Sequence, residues 1–163
     1  MDGIRFMGFS PNLLKFKIKI PFIKVWIHYV WSTKNREAIL KDDFRYPLFN
    51  HIKQNAQLKH IYLGRVNGYY DHAHCLVSLG SDQTIEKIAQ LIKGESSFWF
   101  NNKSELNAPR LEWQDEYFAV SVSESMLDNA RAYIDNQVNH HQKKTFMEEY
   151  NEFVNKYGFQ KFS

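Results

Sequence analysis

The stretch Ile23-Lys24-Val25-Trp26-Ile27-His28-Tyr29-Val30-Trp31 decides the fold. Ile23, Val25, Ile27, Tyr29 and Trp31 alternate with Lys24, Trp26, His28 and Val30, which predicts a strand with one strongly apolar face. Working outward, Ser32 to Arg36 is a polar loop. Asp42 or Asp43 then caps a helix to about Leu58, whose apolar stripe is Phe44, Leu48, Phe49, Ile52 and Ala56. A second strand covers His60 to Val66, and Asn67-Gly68 is a turn signal. A third strand runs from Tyr70 to Leu79. Ser81 or Asp82 caps a second helix that extends past Trp99, with Ile85, Ile88, Ala89 and Ile92 inward. A fourth strand lies within Trp113 to Ser123, clearest at Phe118 to Val122. A third helix from Ser125 to His140 buries Leu127, Ala130, Ile134 and Val138. A last amphipathic helix spans about Thr145 to Tyr157.

The order β-α-β-β-α-β with extra C-terminal helices is the α+β, ferredoxin-like plan: an antiparallel sheet with two helices on one face. Its first and third strands are central neighbours. The face away from the two helices then holds His72 and His74, with Lys24, Trp26 and His28 beside them. Asp71, Ala73, Cys75, Val77 and Leu79 face the core. Residues 21–160 read as one domain. Residues 1–20 read as an appendage, from an upstream start or an extra edge strand, because Gly3, Gly8, Ser10 and Pro11 break any periodicity there.

Composition bounds the function loosely. The chain has 163 residues and a net charge of +3, which fits a nucleic-acid partner and equally an ordinary solvated surface. Aromatic content is 16%, enough for some rings to stack on bases as well as fill the core. The single cysteine, Cys75, cannot form an internal disulfide, which favours a reducing, cytoplasmic setting. No apolar run approaches the ~20 residues that span a bilayer, so no membrane partner is expected.

Chemistry concentrates at His72-Ala73-His74 and at Tyr133 with Gln137. Residues two apart on a strand share a face, so His72 and His74 can aim two imidazoles at one point. Residues four apart on a helix are neighbours, so Tyr133 and Gln137 can present a phenol and an amide side by side. Two imidazoles and an amide oxygen suit a divalent metal, and with water they accept Mg²⁺ or Mn²⁺. Bland readings stand beside these: an H-x-H is also met in simple packing, and a helical Tyr in core packing with its hydroxyl at the rim. His140 and His141 are alternative ligands to Gln137, or a polar helix end where imidazolium favours the dipole. Lys34, Arg36, Arg65 and Lys93 form a candidate phosphate-contact set, and Trp26 a candidate stacking residue for DNA.

Five stretches resemble the single-tyrosine HUH transposases of small bacterial insertion sequences and their REP-associated relatives. They are Val25 to Arg36, Asp71 to Leu79, Ile92 to Ser97, Leu111 to Tyr117, and Ala132 to Gln137. They stand in the family's order and cover about Ile20 to Tyr157. Ala73 is smaller than the family's usual middle residue, which affects packing and not ligation. The resemblance implies that His72 and His74 ligate a metal, that Gln137 completes the site and that Tyr133 is the nucleophile. It implies a homodimer in which the tyrosine helix can serve the partner's HUH site, and single-stranded DNA carrying a hairpin as substrate, cut through a 5′-phosphotyrosine. Competing readings are a replication or mobilisation initiator, a domesticated protein acting on host palindromic repeats, and a non-catalytic ferredoxin-like single-stranded nucleic-acid-binding module. Phosphoesterases with two H-x-[ST] motifs are excluded, since only one such histidine pair is present and its second histidine replaces the Ser/Thr.

Overall fold

A computed structural model describes residues 21–157. The appendage expected at residues 1–20 lies outside the described residues, as do residues 158–160 of the expected domain. Four strands, β1 (Val25–Ser32), β2 (Tyr62–Gly68), β3 (His72–Leu79) and β4 (Phe118–Val122), form one sheet in the order β2-β3-β1-β4. Every neighbouring pair is antiparallel. The ferredoxin-like plan is therefore present, with β1 and β3 central.

Two long helices, α1 (Asp42–Leu58) and α2 (Ile85–Asn102), cover one face. Their apolar stripes meet Ile27, Tyr29, Trp31, Ala73, Cys75 and Val77 in the main core. Three shorter helices, α3 (Leu127–Asp135), α4 (Gln137–His141) and α5 (Phe146–Tyr157), follow β4. A second, smaller core joins Leu127 and Ile134 of α3 to Trp26 and Leu76 on the opposite face. No helix among the described residues is long and apolar enough to cross a membrane.

Several local expectations differ from what forms. Asn67-Gly68 does not turn: both residues stay in β2, opposite His74 and Ala73, and the chain reverses over residues 69–71. Glycine is required at 68 because a Cβ there would sit 2.1 Å from the His72 carbonyl oxygen. The α2 cap is Thr84, whose side chain accepts from the Lys87 amide at 3.1 Å, and not Ser81 or Asp82. Neither Asp42 nor Asp43 caps α1; both lie in its first turn, and Asp42 accepts from the Arg45 guanidinium at 2.6 Å. Trp113 makes only an isolated bridge to Thr33, so β4 is confined to its five clearest residues.

The expected third helix is broken. It opens with a single 3-10 turn at Glu124–Met126 and leaves helical geometry at Asn136, with φ −96° and ψ 17°. Asparagine is a weak helix former because its amide competes for backbone and side-chain partners. Here that amide oxygen accepts from Asn139 at 2.7 Å. Beyond the break Gln137 is buried while Val138 is only half-buried, the reverse of the continuous-helix expectation.

Candidate active site

The site lies on the sheet face opposite α1 and α2, where α3, α4 and α5 close over β1 and β3. Pairing of Ser32 with His72 and Val30 with His74 fixes the face on which both imidazoles stand. Both are fully buried, as is Gln137.

Each imidazole is oriented by a partner on its far nitrogen. His72 Nδ1 lies 2.7 Å from Asp71 Oδ1, so it donates there and its Nε2 carries a lone pair. That Nε2 faces Gln137 Oε1 at 3.2 Å. His141 Nδ1 donates to the Lys144 carbonyl at 2.9 Å, so its Nε2 is likewise a lone pair, 3.1 Å from the same Gln137 oxygen. Gln137 is held in this sense by its amide nitrogen, which donates to the Tyr133 carbonyl at 3.3 Å. His74 Nδ1 pairs with His28 Nε2 at 3.0 Å, and its own Nε2 is buried without a hydrogen-bond partner.

Glu149 of α5 completes the cluster. It is 2% exposed, and both carboxylate oxygens lack a hydrogen-bond donor. They stand 3.6 Å from His74 Nε2, 3.8 Å from His72 Nε2 and 3.1 Å from His141 Nε2. Burial, then the charges of Asp71 and Glu152, push its carboxyl up to about 8. Burial pulls His28 down to about 4; burial and His72 together do the same to His141. His74 is held well below the usual histidine range by burial and by the neighbouring histidines. These three imidazoles are thus neutral at pH 7, the form that ligates metals.

Electron-rich atoms facing one another at about 3 Å repel unless a proton or a cation lies among them. His72, His141 and Glu149 offer atoms within 4.8 Å of one another, a spacing fit for a metal ion. A cation would also satisfy the orphaned Glu149 oxygens, whose burial as a lone carboxylate is costly. The donor set therefore fits a divalent metal.

Tyr133 stands beside this cluster in the same chain. Its half-buried ring lies 5.7 Å from the His74 ring, 6.1 Å from His28 and 5.3 Å from His140.

The structure brings His72, His74, Gln137 and Tyr133 together, but it scatters the expected DNA contacts. Trp26 is 7% exposed; Tyr62 meets its edge and Arg131 covers its face, so little of the ring is open to a base. Lys34 is paired with Glu112 at 2.8 Å, and Lys93 donates to the Asp115 carbonyl at 2.8 Å. These two line a cleft of about 650 Å³ between α2 and the segment before β4. Arg65, on the edge strand, pairs with Asp135 at 3.1 Å. Arg36 is the one of the set that borders the site, lying over Phe146 at 5.5 Å and Tyr150 at 5.7 Å. Those rings line a second cleft of about 580 Å³ with Asn35, Gln114 and Phe118.

Asp71 and Glu149 are the residues that sequence reasoning missed as members of the site, and His141, expected only as an alternative to Gln137, stands there together with it. Asp71 was expected in the core, yet its carboxylate turns to His72. His141 carried a usable signal, standing four residues beyond Gln137. Glu149 carried only its place on the apolar side of α5, three residues after Phe146.

A family model described as "Transposase IS200 like" matches residues 22–137. Two solved structures are similar. One is a candidate transposase from Deinococcus radiodurans R1, 23% identical, covering 72% of this chain and 93% of that one with a TM-score of 0.57. The other is a REP-associated tyrosine transposase bound to a REP hairpin, 15% identical, covering 80% of this chain and 74% of that one with a TM-score of 0.50. At these identities the likeness is one of fold. No curated protein matches the chain.

Proposed function

The chain belongs to the IS200-like transposase family, and on that premise we propose that it cuts and rejoins single-stranded DNA at hairpin-marked ends through a 5′-phosphotyrosine on Tyr133. The observation that carries the reading is the meeting of His72 Nε2 and Gln137 Oε1 at 3.2 Å with the His74 and Tyr133 rings beside them. That one structural neighbour is bound to a REP hairpin supports a hairpin as the substrate class.

His72, His74 and Gln137 would hold the ion, Mg²⁺ or Mn²⁺. Bound there, it supplies Lewis acidity toward the scissile phosphate. Asp71 fixes the His72 ring and its tautomer from behind, as a carboxylate behind a ligating histidine does. Tyr133 gives up its phenol proton and its oxygen bonds to phosphorus. The bond from phosphorus to the 3′ oxygen breaks, and that oxygen leaves as a 3′-hydroxyl. The phosphotyrosine keeps the energy of the phosphodiester, so a second 3′-hydroxyl can displace Tyr133 without ATP. Arg36, beside the cleft next to His72, is the basic residue best placed to meet the DNA backbone. Lys34, Lys93 and Arg65 extend that contact to the outer surface, and Trp26 contributes only through packing.

The reading includes a homodimer in which each tyrosine serves its own chain's histidines, because Tyr133 and His74 already adjoin within one chain. It places the reaction in the cytoplasm, in keeping with the free thiol of Cys75.

The test is end-labelled hairpin DNA, run on a denaturing gel with and without divalent metal. The expected result is metal-dependent cleavage with a protein–DNA adduct that maps to Tyr133, and little action on plain duplex. Cleavage in excess chelator, or equal cutting of duplex, overturns the reading. Static light scattering should give twice the monomer mass of 19.4 kDa; a species of monomer mass at micromolar concentration overturns the dimer.

A further inference from the structure

Two donors in the buried cluster lie beyond the matched residues 22–137: His141 of α4 and Glu149 of α5. Their positions are built, not incidental. Thr145 starts α5 with a reciprocal cap, its amide donating to Glu148 Oε2 at 2.7 Å while its hydroxyl receives the Glu148 amide at 3.3 Å. Phe146 then stacks on the His72 ring at 4.6 Å and 19°. Tyr150 meets Phe118 of β4 at 5.1 Å. This seating drives Glu149 into the histidines.

The spacing matches a coordination shell. Ligands about 2.1 Å from a shared ion lie about 3.0–3.4 Å apart for octahedral or tetrahedral angles. His72 Nε2 to Gln137 Oε1 is 3.2 Å, His141 Nε2 to Gln137 Oε1 is 3.1 Å, and His141 Nε2 to Glu149 Oε2 is 3.1 Å. Glu149 stands wider of His74 and of His72, at 3.6 and 3.8 Å.

We propose that Glu149 and His141 are ligands of the same divalent ion that His72 and His74 hold, so that α5 closes the coordination position a DNA phosphate needs. This rests on the metal reading above and adds to it the ligands that lie outside the matched residues. A shell of imidazoles with one carboxylate suits a first-row transition ion such as Mn²⁺ better than Mg²⁺, which retains water and seldom takes an all-protein cage. A closed shell is the form of a storage or structural site, whereas catalysis needs an open position. Glu149 must therefore leave the ion when the scissile phosphate arrives, and α5 must shift with it.

The experiment is Mn²⁺ titration of the full chain without DNA, followed by the electron paramagnetic resonance signal of free Mn²⁺. Glu149→Gln and His141→Ala should each weaken Mn²⁺ binding by roughly tenfold or more. His72→Ala with His74→Ala should abolish it. Glu149→Gln keeps shape and removes the ionisable group, and its melting curve in chelator checks that it is folded. In a Tyr133→Phe background, where no adduct forms, Glu149→Gln should raise Mn²⁺-dependent affinity for hairpin DNA, because the phosphate no longer competes with a carboxylate. If Glu149→Gln and His141→Ala bind Mn²⁺ as the native chain does while the double histidine variant does not, the inference falls and the metal reading stands. If the double histidine variant also binds normally, the metal reading itself falls.

Discussion

The two faces of the central strands are buried to the same depth and built from opposite chemistry. On the face under α1 and α2 stand Ile27, Tyr29, Trp31, Ala73, Cys75 and Val77. One residue out of phase, on the face under α3 and α5, stand Trp26, His28, His72, His74 and Leu76. The main core is closed by apolar contact, and several of its polar atoms are paired: Trp113 Nε1 donates to Ser96 Oγ at 3.0 Å, and the Tyr29 hydroxyl to the Ile85 carbonyl at 3.2 Å. Its orphans, such as Trp31 Nε1 and two nitrogens of Arg45, are isolated donors. On the second face the orphans include His74 Nε2 and both oxygens of Glu149, and they converge. Burial therefore does not separate packing from chemistry here. What separates them is whether unpartnered atoms point at a common place.

The sharpest way to break this contrast is Tyr133→Phe. The ring and its packing remain and only the attacking oxygen goes, so covalent adduct should vanish while hairpin affinity and melting temperature hold. An adduct that survives on a denaturing gel would move the nucleophile elsewhere, with Tyr150 next in line. On the other face, Trp31→Ala should cost about 3–5 kcal/mol in urea unfolding yet leave cleavage per folded molecule unchanged. A loss well under 1 kcal/mol, or a loss of chemistry in folded protein, would erase the division between the faces.

A smaller effect should come from the ion itself. A ligand at a hundred times its dissociation constant stabilises the folded state by about 2.7 kcal/mol. Native protein should thus melt higher in Mn²⁺ than in chelator, whereas His72→Ala with His74→Ala should melt alike in both. Equal metal shifts in the two proteins would show that the ion acts elsewhere. The mildest change is Ser96→Ala, which strands Trp113 Nε1 in the core and should cost about 1–3 kcal/mol. Differential scanning calorimetry reads this directly, and an unchanged transition would mean that the indole finds another acceptor.

The contrast between the faces also marks what could be read in the sequence. Alternation in β1 and β3 and the stripes of α1 and α2 depend on neighbours along the chain, and the sheet order followed from them. The shared face of His72 and His74 was legible because the strand period places them, whereas Gln137 was joined to them only by the family resemblance, since Asn136 breaks the helix that would have carried it. Period alone does not reveal what covers a face, so Trp26 read as open for stacking although α3 lies over it. Nor does it reveal a break such as Asn136, where one side-chain amide outweighs the propensity of its neighbours. Glu149 was invisible for a further reason: it meets His72 from far along the chain, and that meeting depends on how α5 folds back.

The pairing of Gly68 with Ala73 has a consequence for how this gene can change in length. A residue inserted between Gly68 and His74 that the turn at 69–71 does not absorb shifts β3 by one step against β2. A one-step shift exchanges the faces of every residue beyond it. It would send imidazoles under α1 and α2 and bring Ala73 to the place of His74 and Cys75 to that of Leu76. A single added codon there would act as two simultaneous lesions, one to the core and one to the reaction, and no substitution at one site would reverse both.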